Sequence, residues 1–270
     1  MKTTVVILIL PAVLLVALQL WLVVNGWRDT ARLVDDVRSA PAPVVRTDLP
    51  EIVRAYARRN MLGARVPARW VALTQDAELR QQKGGAWGEV SARQSIASGA
   101  PAFVWDARQK TLGLTMARVV DSFASGTGML EVRIAGGYVV ARAEGPDIDA
   151  SEAMRYLAEL PWNPDAILGN PELIWQVLDD ARVTVSVMVN GQPVAFTFTF
   201  ENGDIVSGRS DARPALENGK TVLRPWVGTF SDYGEIGGRR VPRLGEIGYV
   251  YEDGYEAYFR GRLKGLEVSG

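Results

Sequence analysis

The stretch SEAMRYLAELPWNPDAIL, residues 151–168, is the clearest helical segment in a region that otherwise alternates like β-sheet. Asp149, with Glu152 three residues later, predicts a capping box at the start of this helix. Apolar side chains then recur at helical spacing and form one stripe: Ala150, Ala153, Met154, Leu157 and Ala158. A helix of about twelve residues is marginal alone in water, so we expect the stripe to pack on the sheet.

Proline and asparagine mark the end of this helix. Pro161 ends it because the residue before a proline is biased out of the α region. Asn163 then caps a short helical turn whose first position is Pro164. The stretch therefore reads as a helix followed by a sharp corner.

The other face of the helix is polar and carries Ser151, Glu152, Arg155 and Glu159. Arg155 has Glu152 at i−3 and Glu159 at i+4, a spacing typical of solvated ion pairs that contribute roughly 0.2–0.5 kcal/mol each. We favour a solvated face. The alternative interpretation is a site for a ligand or a partner protein.

The hairpin RVTVSVMV–NG–QPVAFTFTF, residues 182–200, follows. Asn190-Gly191 predicts a type I′ turn, which needs two residues with positive φ. This turn sets the register and places the apolar side chains of both strands on one face. The predicted cross-strand pairs are Val187–Val194, Val185–Phe196 and Val183–Phe198.

Alternating segments separated by turn residues fill the rest of the chain beyond residue 69. They indicate about ten or eleven strands, mostly antiparallel because their connections are short. A sheet of this size tends to curl. The predicted fold is mainly β (α+β): one large curved antiparallel sheet or incomplete barrel with few covering helices, plus an N-terminal transmembrane helix.

The N-terminus carries the apolar run Val5–Val24, interrupted only by Pro11 and Gln19. At 1.5 Å per residue, such a run spans the roughly 30 Å hydrocarbon core of a bilayer. It is too long for the h-region of a cleaved signal peptide. We therefore expect an uncleaved single-pass anchor in the bacterial cytoplasmic (inner) membrane, with the C-terminal domain on the periplasmic side.

Three regions follow from this organisation. Residues 1–27 form the membrane anchor, and residues 28–45 form a polar helix and a proline-containing linker. Residues 46–270 form a single β-rich domain. At its start, Asp48 with Glu51 predicts a second capped helix.

The composition excludes several classes of chemistry. The chain has 270 residues, a net charge of −1, and neither cysteine nor histidine. Disulfides, thiolate nucleophiles, imidazole bases and cysteine- or histidine-bound metals are therefore ruled out. The sequence lacks nucleotide-binding loops and nucleophile motifs, and the charge pattern does not favour nucleic acid. We expect no enzyme activity, no catalytic residue, no cofactor and no metal site.

The residues resemble an uncharacterised bacterial domain family, a domain of unknown function. RYLAELPWNP, residues 155–164, is similar to its R-Y-L-A-E-x-x-W-x-P signature. Further marks follow in the same order: Leu73-Thr74-Gln75, Ala92 with Gln94, Pro101-x-Phe103-x-Trp105, Gly126-x-Gly128-x-Leu130, Phe196-x-Phe198-x-Phe200, Pro225-Trp226, and Pro242 with Glu246. Residues 76–80 depart from the Gly-Glu-Phe-Arg pattern of the family. The fold also looks like lipoprotein-carrier-type incomplete barrels, whose concave face holds acyl chains.

Three functions remain open at this point. We favour an envelope protein that binds a lipid or other hydrophobic ligand in the concave face, under the central helix. The residues expected to bind are Trp105, Met154, Arg155, Leu157, Glu159, Trp162, Phe198 and Trp226. The second is a structural module with a filled core that binds an envelope protein partner. The third is a carboxylate-based hydrolase that uses Glu159 and Glu246.

Overall fold

A computed structural model describes the backbone of residues 2–111, 113–135, 137–217 and 220–269, and the side chains from residue 17 onward except residue 216. Four α-helices and one short 3₁₀ turn lie in this part of the chain. The helices are α1 (Lys2–Arg38), α2 (Glu51–Asn60), α3 (Pro146–Ala158) and α4 (Pro164–Gly169), with the 3₁₀ turn Leu160–Trp162 between the last two.

The described residues form one antiparallel sheet of thirteen strands. The first six are β1 (Trp70–Arg80), β2 (Trp87–Ala97), β3 (Phe103–Thr111), β4 (Leu114–Ala124), β5 (Thr127–Ile134) and β6 (Tyr138–Ala143). The other seven are β7 (Ile174–Val177), β8 (Arg182–Val189), β9 (Gln192–Glu201), β10 (Asp204–Glu217), β11 (Lys220–Ile236), β12 (Arg239–Tyr251) and β13 (Gly254–Val268).

The strand order is β6-β5-β4-β3-β2-β1-β13-β12-β11-β10-β9-β8-β7. Strands β1 to β6 follow one another in order toward one edge of the sheet. The chain then crosses through α3 and α4 to the other edge, and strands β7 to β13 return in order until β13 pairs with β1. Helix α3 contacts β4 and β5 near one edge and also β8, β9 and β10 near the other. The sheet must therefore curl around α3. We call the face that holds α3 the concave face and the opposite face the outer face.

The mainly β, curved antiparallel fold is confirmed, but the predicted count of ten or eleven strands is too low. Residues 129–144 read as one strand in the sequence. In the structure the chain turns at Ala135, which has a φ of 46°, and returns as β6. The second missed strand is β7, which has only four residues and pairs with β8 at the sheet edge.

The hairpin of β8 and β9 has the predicted register. Asn190 and Gly191 both have positive φ, 50° and 76°, as the turn requires. All six paired side chains named for this hairpin are buried in the main core. Apolar side chains of this size each contribute on the order of 1.5–3 kcal/mol when buried.

The predicted capping boxes do not form. Helix α3 begins one turn earlier than expected, with Gly145 at the N-cap and Pro146 at the first position. Asp149 instead accepts hydrogen bonds from the Gly128 amide, at 2.7 Å, and from Asn190 Nδ2, at 2.9 Å. Helix α2 likewise starts after Pro50 without a side-chain cap.

The cap of α4 matches the prediction. The side chain of Asn163 accepts a hydrogen bond from the Ala166 amide at 3.0 Å, and Pro164 holds the first position. Asp165, one residue further, is fully buried and binds the Arg239 guanidinium at 2.7 and 2.8 Å. Helix α4 is thus fixed firmly to β12.

Helix α1 packs on the outer face, against β2, β3 and β4. Val37 contacts a small apolar cluster there with Val104 and Val120. No helix in the described residues combines the length and apolarity needed to cross a membrane. The predicted anchor, Val5–Val24, falls largely on residues 5–16, whose side chains lie outside the described part, so the anchor stays a prediction.

Candidate functional site in the concave face

Buried polar and charged side chains gather between α3 and the sheet. We call this group the concave polar cluster; its members are Gln94, Asp121, Glu152, Arg155, Glu159 and Arg213. Arg155 donates from Nε to Glu159 Oε1 at 2.9 Å and from Nη1 to Asp121. Gln94 donates to the second carboxylate oxygen of Glu159. The predicted ion pair between Arg155 and Glu159 therefore forms. It lies inside the protein, and the solvated face that we favoured from the sequence is wrong.

The strand register explains how β2, β3 and β4 supply one side of this cluster. Gln94 lies opposite Trp105, and Trp105 lies opposite Asp121. The three side chains therefore form a row across the concave face. Trp105 donates from Nε1 to Gln75 Oε1 at 3.1 Å, and the Arg155 guanidinium lies 4.6 Å from the Trp105 ring centre. Such a stacked guanidinium is favourable because of the ring quadrupole.

Arg213 of β10 forms the other side of the cluster. Its guanidinium lies 4.1 Å from the centre of the Trp226 ring and donates to the hydroxyls of Tyr258, at 2.9 Å, and Tyr249, at 3.2 Å. Its Nη2 atom also lies 3.9 Å from a carboxylate oxygen of Glu152 on α3. Both flanks of the curled sheet therefore reach α3 through an arginine.

Four buried polar atoms of the cluster have no hydrogen-bond partner among the described residues. They are Gln94 Oε1, Asp121 Oδ1, Glu152 Oε2 and Arg213 Nε. Buried polar groups in native proteins are nearly always satisfied by protein or ordered water. Unsatisfied atoms concentrated on both sides of one helix therefore indicate a place where water or a polar ligand group would bind.

Burial also shifts the protonation of the cluster. It raises the pKa of Glu152 to about 8, and the nearby Asp121 carboxylate adds to this shift. Burial likewise raises the pKa of Asp121, although the Arg155 guanidinium opposes the shift. At neutral pH Glu152 is thus mainly protonated.

Apolar side chains surround this polar centre. Six of the eight predicted binding residues belong to the main core cluster: Trp105, Met154, Leu157, Trp162, Phe198 and Trp226. Trp162 donates to the Pro242 carbonyl at 2.8 Å. Its ring lies so close to Gly245 that a Cβ at that position would be only 2.8 Å away. With Arg155 and Glu159, all eight predicted residues lie in the concave face; that they bind a ligand stays a prediction.

Four cluster members are not among the binding residues predicted from the sequence: Gln94, Asp121, Glu152 and Arg213. For Asp121 the sequence does contain a signal. It lies two residues from the apolar Val119 and two from Phe123, so all three side chains share the inward face of the strand. For Arg213 no such signal could be read. The pairing of β10 with β11 shifts register between Ser210 and Arg213, so simple alternation assigns the wrong face.

The two carboxylates of the hydrolase hypothesis lie on opposite faces of the sheet. Glu159 binds Gln94 in the concave face. Glu246 accepts from Arg260 at 2.7 Å and lines a groove on the outer face together with Glu78 and Glu89. A pair that attacks one glycosidic bond needs separations of about 5–9.5 Å on the same cleft. This version of the hydrolase hypothesis is therefore wrong.

The outer face carries two open spaces in the described part of the chain. The larger is the groove beside Glu246, about 960 Å³ in volume, lined by acidic and basic side chains from β1, β2, β12 and β13. The smaller, about 400 Å³, is apolar and lies between α1 and the β3–β4 hairpin. Within the described residues, no group of acidic side chains is arranged to hold a metal ion.

Solved structures that are similar to this chain match it at low identity. A LolA superfamily protein from Nitrosomonas europaea is 7% identical and aligns with a TM-score of 0.43, covering 81% of this chain and 92% of that chain. A domain named for outer membrane lipoprotein sorting, from Vibrio parahaemolyticus, is 10% identical with a TM-score of 0.46 and coverages of 78% and 93%. A DUF1329 family protein from Desulfovibrio piger is 8% identical with a TM-score of 0.44 and coverages of 80% and 91%.

At such identities and TM-scores these likenesses say nothing about what this chain binds. A comparison with curated proteins gives no match.

The family comparison agrees with the signature at residues 155–164. The model described as "Family of unknown function (DUF6544)" matches residues 44–261, which is more than half of the chain and includes all of the concave polar cluster. The resemblance to an uncharacterised family is thus confirmed, and the chain belongs to the DUF6544 family of unknown function.

Proposed function

We propose that this protein is a non-catalytic binding protein that takes a lipid or similar hydrophobic ligand into the concave face when α3 moves out. One observation carries the proposal. Helix α3 is buried on its polar face as well as on its apolar stripe, and the polar side of its contact with the sheet is incompletely hydrogen-bonded.

The energetics of this contact favour a displaceable helix. Buried ion pairs contribute little net stability, because the loss of hydration offsets much of their attraction. Each unsatisfied buried polar atom costs about 1–3 kcal/mol. Water that enters when α3 leaves would hydrate Gln94, Asp121 and Arg213 on the sheet and Glu152 on the helix. Part of the cost of opening is therefore recovered.

The space that α3 fills suits an amphipathic ligand. A helix of thirteen residues is about 20 Å long and about 10 Å wide, enough for an acyl chain. Its walls include the apolar rings of Trp105, Phe198 and Trp226. Arg213 of β10 stays beside this space when α3 leaves, and a guanidinium binds anionic oxygens well.

The chain on either side of α3 allows such a movement. Gly145, with a φ of 108°, precedes the helix, and a backbone conformation of this kind is natural only for glycine. On the other side the 3₁₀ turn containing Pro161 separates α3 from α4, which Asp165 and Arg239 hold on the sheet. We infer that α3 moves while α4 stays.

The setting of the protein is part of the proposal. The apolar run Val5–Val24 supports a single-pass anchor in the bacterial inner membrane, with the domain on the periplasmic side. This rests on the sequence alone. A protease-protection assay on intact spheroplasts tests it: the domain should be digested from outside, and protection by the sealed membrane would contradict the orientation.

Ligand binding is tested with the full chain purified in a mild detergent. Native mass spectrometry should detect a co-purifying lipid, and a fatty acid that carries an environment-sensitive fluorophore should bind and be displaced by unlabelled lipid. A protein that carries no lipid and leaves the probe fluorescence unchanged would contradict the proposal.

The second candidate is an interaction module with a filled core. The observation that favours it is the charged groove of about 960 Å³ on the outer face. Arg155 and Glu159 are too deeply buried to form the partner surface expected from the sequence. Cross-linking that recovers one defined envelope protein through Glu78 or Arg260, combined with a negative lipid assay, would support this module.

A further inference from the structure

Exposed apolar side chains are concentrated at one end of the sheet, around α1. We call this surface the apolar rim. It is formed by α1 and by the tips of the β3–β4 and β5–β6 hairpins, and half of the large apolar side chains exposed in the described residues lie in it. Its members are Leu18, Leu20, Trp21, Val24, Trp27, Leu114, Met116, Ile134, Tyr138, Val139 and Val140.

The three parts of the rim contact one another. A Cβ on Gly137 would lie 2.7 Å from Leu22 Cβ, so the β5–β6 hairpin meets α1 without an intervening side chain. Gln19 donates to the Ala135 carbonyl, and the Ala135 amide donates to Met116 at 3.0 Å. The apolar space of about 400 Å³ lies among these elements. The rim is therefore one continuous surface.

A buried polar network fixes the orientation of α1 on the domain. Arg118 of β4 donates to Thr30 Oγ1 at 2.6 Å and to the Gly26 carbonyl at 3.2 Å. The same guanidinium is neutralised by Asp106 at 2.7 Å. Because these groups are buried and paired, the helix and the hairpin tips form one rigid unit at this level.

The predicted anchor overlaps the rim. Four side chains belong both to the rim and to the apolar run Val5–Val24: Leu18, Leu20, Trp21 and Val24. Where this run lies in a bilayer, the hairpin tips beside Leu22 lie at the same depth. Trp21, Trp27 and Tyr138 are the aromatic types that prefer the boundary between headgroups and acyl chains.

Basic side chains flank the rim. Arg28 follows it on α1, and Lys110 lies near the tip of the β3–β4 hairpin; both are exposed. Such residues are attracted to the negative surface of bilayers that contain anionic lipids. The apolar rim with its basic flank therefore matches a membrane interface in both polarity and charge.

We propose that the apolar rim inserts the β3–β4 and β5–β6 hairpin tips into the headgroup–acyl boundary of the membrane that holds α1. The domain then lies against the bilayer at a fixed orientation instead of hanging from a flexible tether. This inference rests on the proposed anchor. It does not depend on whether the concave face binds a ligand.

The absence of cysteine allows the insertion to be measured at single positions. The full chain, with one cysteine labelled by the fluorophore NBD, is reconstituted into vesicles of phosphatidylethanolamine and phosphatidylglycerol. Met116→Cys reports the rim. Met188→Cys is the control, because Met188 is equally exposed, at 55% against 50%, but lies on β8 near the far sheet edge. Leu20→Cys reports α1 itself.

We expect nitroxide-labelled lipids to quench the label at Met116→Cys at least about twofold more than the label at Met188→Cys, with a blue-shifted emission. Leu20→Cys should be quenched as well. If Leu20→Cys is quenched while Met116→Cys behaves like the control, the anchor stands and the rim proposal is wrong. If neither is quenched, both are wrong.

A further outcome would assign the rim to a second copy of the chain. In that case the label at Met116→Cys is shielded from a water-soluble quencher but not reached by nitroxide lipids. Its shielding also falls as the protein is diluted in the vesicles. This result would overturn insertion into the membrane.

Discussion

Arg155 of α3 donates a hydrogen bond to Asp121 of β4 inside the curled sheet. It also donates one to Glu159, which lies just beyond the end of α3. A helix buried on both faces is unusual, because the polar side must then be satisfied inside the protein. Here that satisfaction is incomplete, and this is the property from which the proposed opening of α3 follows.

Glu152 should make the stability of the protein depend on pH. Its folded-state pKa, about 8, lies above the ordinary pKa of this carboxyl group, 4.5, mainly because of burial. Its stabilising contribution is therefore complete below about pH 4.5 and is lost as pH rises through about 8. Glu152→Gln has no carboxyl group at this position to ionise, so the variant does not lose stability in this way. The free energy of unfolding of the variant minus that of the wild type should therefore increase as the pH rises from the lower to the higher of these two values. Urea unfolding at several pH values measures it; a difference that does not change with pH would contradict the burial argument. The groups facing Glu152, namely Asp121, Arg155, Glu159 and Arg213, remain in both proteins.

Weakening the packing of α3 against the sheet should increase the affinity of the protein for its ligand. Leu157→Ala removes a fully buried side chain from α3 and should reduce the free energy of unfolding by about 2–5 kcal/mol. It also raises the population of the open state, so the fluorescent fatty acid should bind about tenfold more tightly. Leu168→Ala is the matched control, because Leu168 is equally buried but lies on α4. Equal affinities in the two variants would argue against opening at α3.

Asp165 should be far more important for stability than an exposed carboxylate with a similar partner. Asp165→Asn breaks a buried pair with Arg239 and weakens the acceptor for the Ala68 amide, at 2.7 Å. We expect a loss of about 3–5 kcal/mol. Asp232→Asn, at a half-exposed pair with Arg243 of comparable length, 2.6 Å, should cost less than about 1 kcal/mol. Urea unfolding of both variants checks this, and similar losses would show that burial is not the deciding factor.

Asp149 should hold the start of α3 to both flanks of the sheet. Asp149→Ala leaves the buried amide of Gly128 without its acceptor, so we expect a loss of about 1–3 kcal/mol. Asn190→Gly keeps the positive φ of the hairpin turn and removes only the side-chain bond to Asp149, so its loss should be smaller. Hydrogen exchange of the first α3 amides should speed up in Asp149→Ala and much less in Asn190→Gly. The reverse order would contradict this role.

The local signals in the sequence were sufficient for much of the fold. The Asn190-Gly191 turn alone determined the pairing of Val183 with Phe198, because the number of residues from a two-residue turn fixes the register. Asn163 and Pro164 marked the start of α4 for a similarly local reason. The four residues of β7 gave too short a pattern to be recognised, since their pairing depends on β8.

The candidate site was harder to predict because it depends on contacts distant in sequence. Arg155 and Glu159 were recognised as a pair from their spacing, but nothing in α3 indicates that the sheet closes over its polar face. The sequence pattern predicts that Asp149 is a helix cap, yet its partners are Gly128 of β5 and Asn190 in the turn between β8 and β9. Such bonds compete successfully with local capping once the sheet has curled.

Thiol labelling at α3 reports whether this helix leaves the concave face when a ligand binds. Ala153 of α3 and Ala166 of α4 are both fully buried, and the chain contains no other thiol, so Ala153→Cys and Ala166→Cys form a matched pair. We expect a saturating fatty acid or lipid to accelerate labelling of Ala153→Cys at least about tenfold, because ligand binding shifts the population to the open state. Labelling of Ala166→Cys should not change. If ligand is bound while both cysteines stay equally protected, α3 does not move, and the proposed opening is wrong.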